Sequence, residues 1–214
     1  MEDSYLHKGQ RKKLVESLKD KGINDEQVLD AMMQVPRHLF MRPDFVGFAY
    51  RDQAFPIECE QTISQPYTVA FQSQLLEIKK GEKVLEVGTG SGYQAAVLVQ
   101  MGAKVFSIER HRGLFLDAQK TMLRLGYKAE LFYGDGYAGK QAYMPFDKII
   151  ITAAPPVIPS ELLNQLKTGG YLVAPVGDRN LQKMIRIKKT GENSFEKEEH
   201  GNFVFVPMLK GTSN

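Results

Sequence analysis

The 214-residue chain holds only one cysteine, Cys59, which excludes an intrachain disulfide. No apolar run approaches the roughly 20 residues that span a bilayer. The polar start from Met1 to Ser4 also lacks the apolar core of a secretory signal. Together these absences predict a cytoplasmic protein without a membrane segment.

Metal ligands and charge of one sign are also scarce. The four histidines stand alone, without the short His/Cys spacings of a zinc site: His7, His38, His111 and His200. We therefore expect no metal. The net charge of +3, from 28 basic and 25 acidic residues, is too small and too evenly spread to indicate nucleic acid binding. It neither favours nor excludes an acidic peptide as substrate.

The apolar pattern of the chain changes from helical to alternating near residue 83. Residues 8–35 carry two helical patterns separated by Gly22, with Asn24 or Asp25 as the cap of the second. Pro66 is placed to begin a further helix that runs to Gly81. Beyond it, strand and helix patterns alternate, which is typical of a parallel sheet. The predicted strands are 83–88, 103–109, 128–133, 146–153 and 171–176, with helices to 101, at 112–125 and at 159–167.

The last part of the sequence has a different pattern. Two apolar segments, 184–189 and 203–206, flank a turn around residues 191–193 and predict an antiparallel pair at one edge of the sheet. Gly169 and Gly170 predict the turn between the last helix and its following strand. The segment 211–214 is expected to be frayed.

The segment from Val84 to Tyr93 predicts a strand, a turn with three glycines and the start of a helix. The turn consists of Gly88, Thr89, Gly90, Ser91 and Gly92. Alternate glycines let the backbone approach a nucleotide-like ligand. The same residues satisfy the dinucleotide fingerprint, and a purely structural turn is the third reading. Glu86 favours the cationic ligand S-adenosylmethionine, because a carboxylate there would oppose a pyrophosphate.

Two further acids end predicted strands, where ligands of parallel sheets bind. Glu109 lies 19 positions after Gly90, about the interval at which an acid accepts hydrogen bonds from ribose hydroxyls. Asp135, followed by Gly136, is positioned to accept from an adenine amino group. The alternatives are a solvated carboxylate at a helix start for Glu109 and a turn residue for Asp135.

The segment from Gln61 to Pro66 places hydroxyls and an amide directly before a helix that begins with proline. Such groups either donate hydrogen bonds to a substrate carboxylate or cap the helix. The stretch from Ala54 to Ile57, just upstream, is extended and apolar. It is either an edge that holds a peptide or a strand packed on the core.

These segments together resemble the protein-L-isoaspartate O-methyltransferase family. The resemblance covers nearly the whole chain: 35–37 with Phe40, 49–50 with 54–57, 61–66, the glycine turn, 134–137, 146–147, 152–155, 166–177 and 205–207. The run Gln-Thr-Ile-Ser-Gln-Pro at 61–66 is its most specific motif, whereas the glycine turn alone indicates only a class I methyltransferase. One departure is visible at Glu58-Cys59-Glu60, where members usually have glycine.

The resemblance implies a Rossmann-like, seven-stranded α/β methyltransferase sheet with helices on both faces and an antiparallel C-terminal edge. It implies one methyltransferase domain over 1–214: a helical cap and substrate segment at 1–80, a cofactor-binding core at 81–177 and a C-terminal hairpin at 178–214. The expected activity is transfer of the methyl group of S-adenosylmethionine to L-isoaspartyl residues of damaged proteins or peptides, leaving S-adenosylhomocysteine. The expected enzyme is a monomer that binds no nucleic acid.

The resemblance also implies roles for individual residues, with Ser64 as the active-site hydroxyl. The expected cofactor-binding residues are Thr62, Ile63, Ser64, Gln65, Glu86, Gly88, Thr89, Gly90, Ser91, Gly92, Glu109, Asp135 and Gly136. The expected substrate-binding residues are Ala54, Phe55, Pro56, Ile57, Ser64 and Val176. The alternatives are another class I methyltransferase with a different substrate, a nicotinamide dehydrogenase, and a module that binds altered peptides without turnover.

Overall fold

A computed structural model describes residues 2–178 and 180–213 and is built around a seven-stranded sheet. The helices are α1 (Tyr5–Asp20), α2 (Glu26–Gln34), α3 (Pro66–Leu76), α4 (Tyr93–Gln100), α5 (Arg112–Leu125) and α6 (Ser160–Gln165). The strands are β1 (Phe55–Pro56), β2 (Thr62–Ile63), β3 (Lys83–Val87), β4 (Lys104–Glu109), β5 (Glu130–Tyr133), β6 (Phe146–Ile151), β7 (Leu166–Gly177), β8 (Gln182–Lys189) and β9 (Phe195–Phe203). Short 3₁₀ turns occupy Arg37–Phe40, Pro43–Phe48, Gly136–Ala138 and Gln141–Tyr143.

The order of the sheet is β5-β4-β3-β6-β7-β8-β9, while β1 and β2 form a separate two-stranded pair. The five strands from β5 to β7 are parallel, and β8 and β9 continue the sheet as antiparallel strands. From β3 the chain moves outward through β4 to β5 and then returns to the other side at β6. The carboxyl ends of β3 and β6 therefore meet at a topological switch point, where a ligand crevice is expected.

Both faces of the central strands are covered, as the apolar run at 146–153 predicts. Ile149, Ile150 and Ile151 on β6 are fully buried. Ile150 belongs to the core on the side of the N-terminal helices, whereas Ile149 and Ile151 belong to the core on the opposite face. Helices thus lie on both faces of the sheet, and the predicted α/β architecture is confirmed. No helix in the described ranges is long and apolar enough to cross a membrane.

Several predicted boundaries hold, and two are displaced around the helices. Asp25 caps α2 through its side chain, and α5 has the predicted bounds. Helix α3 ends at Leu76 instead of Gly81, because Glu77 takes a left-handed conformation with φ 51°. Strand β7 already begins at Leu166, and its glycine pair forms no separate turn. The pair instead lies in a register shift, where residues 167–170 of β7 stand opposite the single residue between Phe146 and Lys148 on β6.

The predicted C-terminal hairpin exists, but its second strand was placed wrongly. The partner of β8 is β9 at 195–203, rather than 203–206. Strand β9 is polar and exposed along most of its length, so its own pattern carries no apolar face. The chain then leaves the sheet edge: the Phe205 amide donates to Gln182 Oε1 at 2.7 Å.

The expectation of a frayed tail is wrong for the described residues up to Ser213. The Ser213 amide donates to the Arg110 carbonyl at 2.8 Å, and its carbonyl accepts from the Arg112 amide at 2.9 Å. Gly211 donates to the Asp135 carboxylate at 2.8 Å. The tail is therefore held along the carboxyl ends of the strands; Asn214 lies outside the described residues.

Candidate active site

A cavity that is open to solvent lies at the carboxyl ends of β3, β4 and β6. This is the position at which open parallel sheets bind their ligands. Its walls come from five parts of the chain: 61–64 with Val69, 87–91 with Tyr93 and Gln94, 108–111 with Gly136, 152–153 and 207–209. The site thus depends on the order of the strands in the sheet, which brings these distant segments together.

The glycine turn forms the floor of this cavity and takes backbone conformations that disfavour other residues. Gly88 has φ 101° and Gly90 has φ 52°. A Cβ at position 88 would stand 2.5 Å from Thr152 Oγ1, whose hydroxyl donates to the Gly88 carbonyl at 2.6 Å. A Cβ at position 90 would meet nothing nearer than Ile57 Cδ1 at 3.6 Å. Gly88 is therefore required by contact as well as by conformation.

Glu109 fixes this turn from the neighbouring strand. Its Oε2 accepts a hydrogen bond from the Gly90 amide at 2.8 Å, and its Oε1 accepts from the His111 amide at 2.8 Å. The side chain lines the cavity and is only 4% exposed. Each carboxylate oxygen has a second lone pair, so Glu109 can also accept from hydroxyls of a ligand in the cavity.

Glu86 is placed differently from its predicted position. It is fully buried between β3 and β4 and does not line the cavity. Ser107 Oγ donates to its Oε2 at 2.5 Å, and the same hydroxyl lies 2.6 Å from Thr89 Oγ1. Burial raises the pKa of Glu86 to about 8. The expected negative charge facing a cationic ligand is therefore not present in this arrangement at neutral pH.

The Glu86→Gln variant is expected to remove the loss of folding stability that Glu86 causes as the pH rises. Since the folded pKa of about 8 lies above the ordinary value of 4.5, the unfolded chain loses a proton that the folded chain retains. The contribution of Glu86 to the free energy of unfolding is therefore full below about pH 4.5 and falls by roughly 1.4 kcal/mol per pH unit up to about pH 8. The amide of the variant cannot ionise, so the free energy of unfolding, measured by urea denaturation at pH 6, 7 and 8, should depend less on pH.

Parallel pH profiles for wild type and Glu86→Gln would contradict this prediction. The control is Glu130→Gln, which changes an exposed carboxylate.

Asp135 supports the cavity from outside it. Its Oδ1 accepts from the Tyr137 amide at 2.9 Å and its Oδ2 from the Gly211 amide at 2.8 Å. Asp135 itself does not line the cavity, although Gly136 does. Gln165 holds the same loop, because its Nε2 donates to the Ala138 carbonyl at 2.8 Å. The adenine contact predicted for Asp135 remains a prediction.

Ser64 stands where two openings meet. Together with Thr62 it lines both the cavity and a second groove. The remaining residues of that groove are Ala54, Gln65, Tyr67, Thr68, Phe71, Leu181 and 201–206. Ser64 is half-buried and follows β2, which pairs with β1 so that Phe55 lies opposite Ile63. A ligand in the cavity and a chain in the groove would therefore both reach this hydroxyl.

The turn between β1 and β2 explains the unusual Glu58-Cys59-Glu60 segment. Cys59 and Glu60 both have φ 57°, a left-handed conformation that favours glycine. Cys59 is exposed and free. The backbone path therefore tolerates the departure from the family pattern, with two residues in a conformation that glycine adopts without strain.

The other predicted residues differ in how they relate to the cavity. Those that line it are Thr62, Ile63, Ser64, Gly88, Thr89, Gly90, Ser91, Glu109 and Gly136. Gln65 lies in the groove, and Gly92 stands behind the turn as the cap of α4. Among the predicted substrate residues, Ala54 lines the groove, and Phe55, Pro56 and Ile57 belong to the β1 segment beside it. Val176 lies near the end of β7 and is partly buried against the core on the face of Ile149 and Ile151.

Sequence reasoning missed several residues of the cavity wall. Thr152 follows β6, so the rule that ligands bind at strand ends would have found it. Gln94 is the second residue of α4 and gives no signal in a motif. Met208 and Leu209 enter through the tail, which returns beside Ala154. No local pattern predicts such a return.

Three possible metal ligands lie together in the described residues, well apart in the sequence from the cavity walls: Asp3, His7 and His38. Both Asp3 oxygens already accept from Arg11, at 3.1 and 2.8 Å. The two imidazole rings are stacked, with centroids 3.8 Å apart, so their in-plane lone pairs do not converge on one ion. His38 Nδ1 also lies 2.8 Å from the Tyr50 hydroxyl. This polar cluster explains how α1 is held to the following segment.

The residues around the cavity fit S-adenosylmethionine. A carboxylate at the end of β4 suits a ribose, and the glycine turn leaves room for the thioether part because no Cβ fills it. Hydroxyls of Thr62, Ser64 and Ser91 provide further polar groups. A pyrophosphate would instead face Glu109, a carboxylate that no described cation pairs with.

The fold and this cavity define the class: the protein is a Rossmann-like, S-adenosylmethionine-dependent methyltransferase. The family model described as protein-L-isoaspartate(D-aspartate) O-methyltransferase matches residues 9–213. The chain belongs to this family.

Relatives and solved structures agree with that assignment. A protein-L-isoaspartate O-methyltransferase from Christiangramia forsetii is 56% identical over 211 residues, covering 98% of this chain and 99% of the relative. One from Cytophaga hutchinsonii is 55% identical over 209 residues, which cover 98% of this chain and 95% of the relative. A solved structure with the same description has a TM-score of 0.83 and 28% identity over 92% of this chain, which spans 65% of that longer one. A Plasmodium falciparum structure in complex with S-adenosyl-L-homocysteine has a TM-score of 0.82 and 25% sequence identity, and the match covers 94% of this chain and 99% of that one.

Proposed function

We propose that the chain transfers the methyl group of S-adenosylmethionine to the free carboxylate of L-isoaspartyl residues in damaged proteins or peptides. The observation that carries this proposal is the position of Ser64, which lines both the cavity and the groove. Family membership supports the same reaction. The cavity takes the cofactor and the groove takes the peptide, so that the substrate carboxylate enters between them.

For this reaction the protein mainly has to position the two reactants. A carboxylic acid with a pKa near ~4 is ionised at neutral pH, so no general base is needed. The sulfonium of the bound cofactor supplies an activated methyl group. The chain has to hold the carboxylate in line with it and exclude water, an alignment that contributes up to roughly 7–11 kcal/mol in favourable cases.

Individual residues divide this work. The Ser64 hydroxyl donates to the substrate carboxylate and orients it. A neutral donor suits this role because an arginine pair would quench the attacking oxygen. Glu109 holds the ribose, and Gly88 and Gly90 allow the cofactor to approach the backbone. The Gly136 loop bounds the adenine.

The decisive experiment offers labelled S-adenosylmethionine and two peptides that differ only in one linkage, isoaspartyl against aspartyl. Methyl transfer to the isoaspartyl peptide alone is expected, as an alkali-labile ester. Equal labelling of both peptides, or of neither, would overturn the proposal. Labelling of another acceptor would favour a different class I methyltransferase.

The Ser64→Ala variant is expected to lower kcat/KM for the isoaspartyl peptide by roughly 10- to 100-fold. The reason is the lost hydrogen bond to a charged acceptor, about 1.5–3 kcal/mol. Binding of S-adenosylhomocysteine, measured by calorimetry, should change much less. Ser160→Ala, at an exposed serine, serves as the matched control. Wild-type kcat/KM in Ser64→Ala would remove Ser64 from the mechanism.

We also propose that the enzyme works as a cytoplasmic monomer on isoaspartyl proteins and not on nucleic acid. The small net charge and the free, exposed Cys59 support this. Residues 1–214 are proposed to act as one methyltransferase domain, with 1–80 covering the core at 81–177. Support comes from the core on the side of the N-terminal helices, where Leu18 and Val28 of these helices pack in one cluster with Ile150 of the sheet.

A further inference from the structure

Three aromatic side chains line the groove that meets the cavity at Ser64, and together they form its aromatic wall: Tyr67, Phe71 and Phe203. Tyr67 and Phe71 lie four residues apart on α3, so both are on the same side of that helix. The ring centroids are 5.6 Å apart for Tyr67 and Phe71, and 5.3 Å apart for Phe71 and Phe203. The three rings therefore make one continuous apolar surface.

The aromatic wall is packed on one side and in contact with solvent on the other. Its three side chains pack against the core on the side of the N-terminal helices, yet each stays half-buried. Two exposed apolar side chains line the same groove, since Leu181 is 52% and Val204 is 74% exposed. Apolar groups that gather in one groove and remain in contact with water mark a binding surface.

The groove offers a ligand no charge. None of the described residues that line it is charged, and its polar side chains are those of Thr62, Ser64, Gln65, Tyr67, Thr68 and Asn202. A charged side chain that enters the groove would lose water without gaining an opposite charge, which is unfavourable. An apolar side chain would instead gain free energy in proportion to the area removed from water. The chemistry of the groove therefore selects apolar neighbours of the reacting residue.

The position of the aromatic wall along α3 indicates which part of a substrate meets it. Ser64 lies two residues before α3, and Tyr67 is the second residue of that helix. Phe71 lies about 6 Å further along the axis, at about 1.5 Å per residue. An extended peptide advances about 3.3 Å per residue. A substrate whose carboxylate lies at Ser64 therefore reaches the aromatic wall with a side chain one or two residues away.

We propose that the aromatic wall binds an apolar side chain within two residues of the isoaspartyl residue, so that the enzyme selects damaged sites with an aromatic neighbour. This inference rests on the proposed function for the identity of the reacting residue. The groove is continuous with the cavity through Thr62 and Ser64, which line both. The occupant is therefore the peptide that carries the reacting carboxylate.

A set of labelled isoaspartyl peptides tests the preference without methyl transfer. Phe, Ala, Glu or Lys is placed at each of the two positions before and after the isoaspartyl residue. Affinity is measured by fluorescence anisotropy in saturating S-adenosylhomocysteine. At one of these positions the Phe peptide should bind about 5- to 20-fold more tightly than the Ala peptide, as partial burial of one aromatic side chain predicts. The Glu and Lys peptides should bind more weakly than the Ala peptide.

Two variants place a positive charge in the groove and should change which peptide is selected. Phe71→Arg should remove the preference for Phe and make the Glu peptide bind more tightly than the Lys peptide. Val204→Arg changes an exposed side chain, so folding is not at risk, and it should favour Glu over Lys in the same way. Phe115→Arg, at a half-buried phenylalanine on α5 that does not line the groove, is the matched control. Binding of S-adenosylhomocysteine shows that each variant is folded.

Turnover of the same peptides by wild type separates binding from chemistry. The preference for Phe should appear in KM, with kcat within about two-fold, because the aromatic wall does not touch the reacting atoms. Affinities of the Phe and Ala peptides within two-fold of each other at all four positions would overturn the inference. An unchanged order of peptides in both Phe71→Arg and Val204→Arg would also overturn it. Dimerisation in sedimentation that Val204→Arg abolishes would assign the groove to a second copy of the chain instead.

These outcomes are distinct from a failure of the proposed function. If wild type methylates isoaspartyl peptides without regard to their neighbours, the aromatic wall loses its role and the proposed function stands. If wild type methylates no isoaspartyl peptide but binds aspartyl and isoaspartyl peptides with the same preference for Phe, the reaction is wrong and the groove still selects an aromatic neighbour.

Discussion

Replacing Glu109 with alanine is expected to weaken binding of S-adenosylhomocysteine by more than about 100-fold. The carboxylate is the proposed acceptor for two ribose hydroxyls, and each such bond to a charged group contributes about 1.5–3 kcal/mol. A loss of about 3 kcal/mol corresponds to roughly 150-fold in the dissociation constant. The variant also removes the acceptors of the Gly90 and His111 amides, so the glycine turn loses its anchor on β4.

Calorimetry and thermal unfolding together check this prediction. Glu109→Gln keeps one acceptor oxygen, so its loss should be smaller than that of Glu109→Ala. Glu130→Ala removes an exposed carboxylate from the adjacent strand and should bind like wild type. Affinity of Glu109→Ala within about three-fold of wild type would show that this carboxylate serves only the backbone.

The Gly88→Ala variant is expected to lose about 2–5 kcal/mol of stability and its cofactor affinity with it. A residue with a side chain costs roughly 1–2 kcal/mol in a left-handed conformation. The added Cβ would also stand 2.5 Å from Thr152 Oγ1, and such overpacking costs typically about 1–3 kcal/mol. Because Thr152 holds the Gly88 carbonyl, any shift that relieves the contact also breaks that hydrogen bond.

Urea denaturation of two matched variants separates the two contributions. Gly90→Ala has the same change on the same turn, but its Cβ would meet nothing nearer than 3.6 Å. It should lose only the conformational part, roughly 1–2 kcal/mol. Adding Thr152→Ala to Gly88→Ala should recover part of the loss, as a double-mutant cycle would show. Equal losses for Gly88→Ala and Gly90→Ala would contradict the contact with Thr152.

The parallel half of the sheet could be predicted from sequence because its signals are local. Apolar runs such as 146–151 are bounded by turns, and the 19-residue interval from Gly90 to Glu109 spans one helix and the strand that follows it. Strand β9 could not be predicted in the same way. It is an exposed edge strand whose position is set by pairing with β8, so its polar sequence carries no period of its own.

Only the site residues that belong to sequence motifs could be predicted. Ser64, the glycine turn and Glu109 were found from sequence and line the cavity. Glu86 was misplaced, because its side chain points to the face opposite Leu85 and Val87, where Ser107 binds it inside the protein. Gln94 could not be predicted because it lies beyond the glycine motif and joins the cavity wall only through the packing of α4 beside Ser73 of α3.

The tail that returns along the strand ends has a consequence for how the enzyme is made. Residues 207–209 wall the cavity, while Gly211 and Ser213 fasten that wall to Asp135 and to the backbone at Arg110. The ribosome adds this segment after every strand of the sheet. A nascent polypeptide can therefore assemble its sheet while it still lacks one wall of the cofactor site. Competence to use the methyl donor therefore arrives late in synthesis.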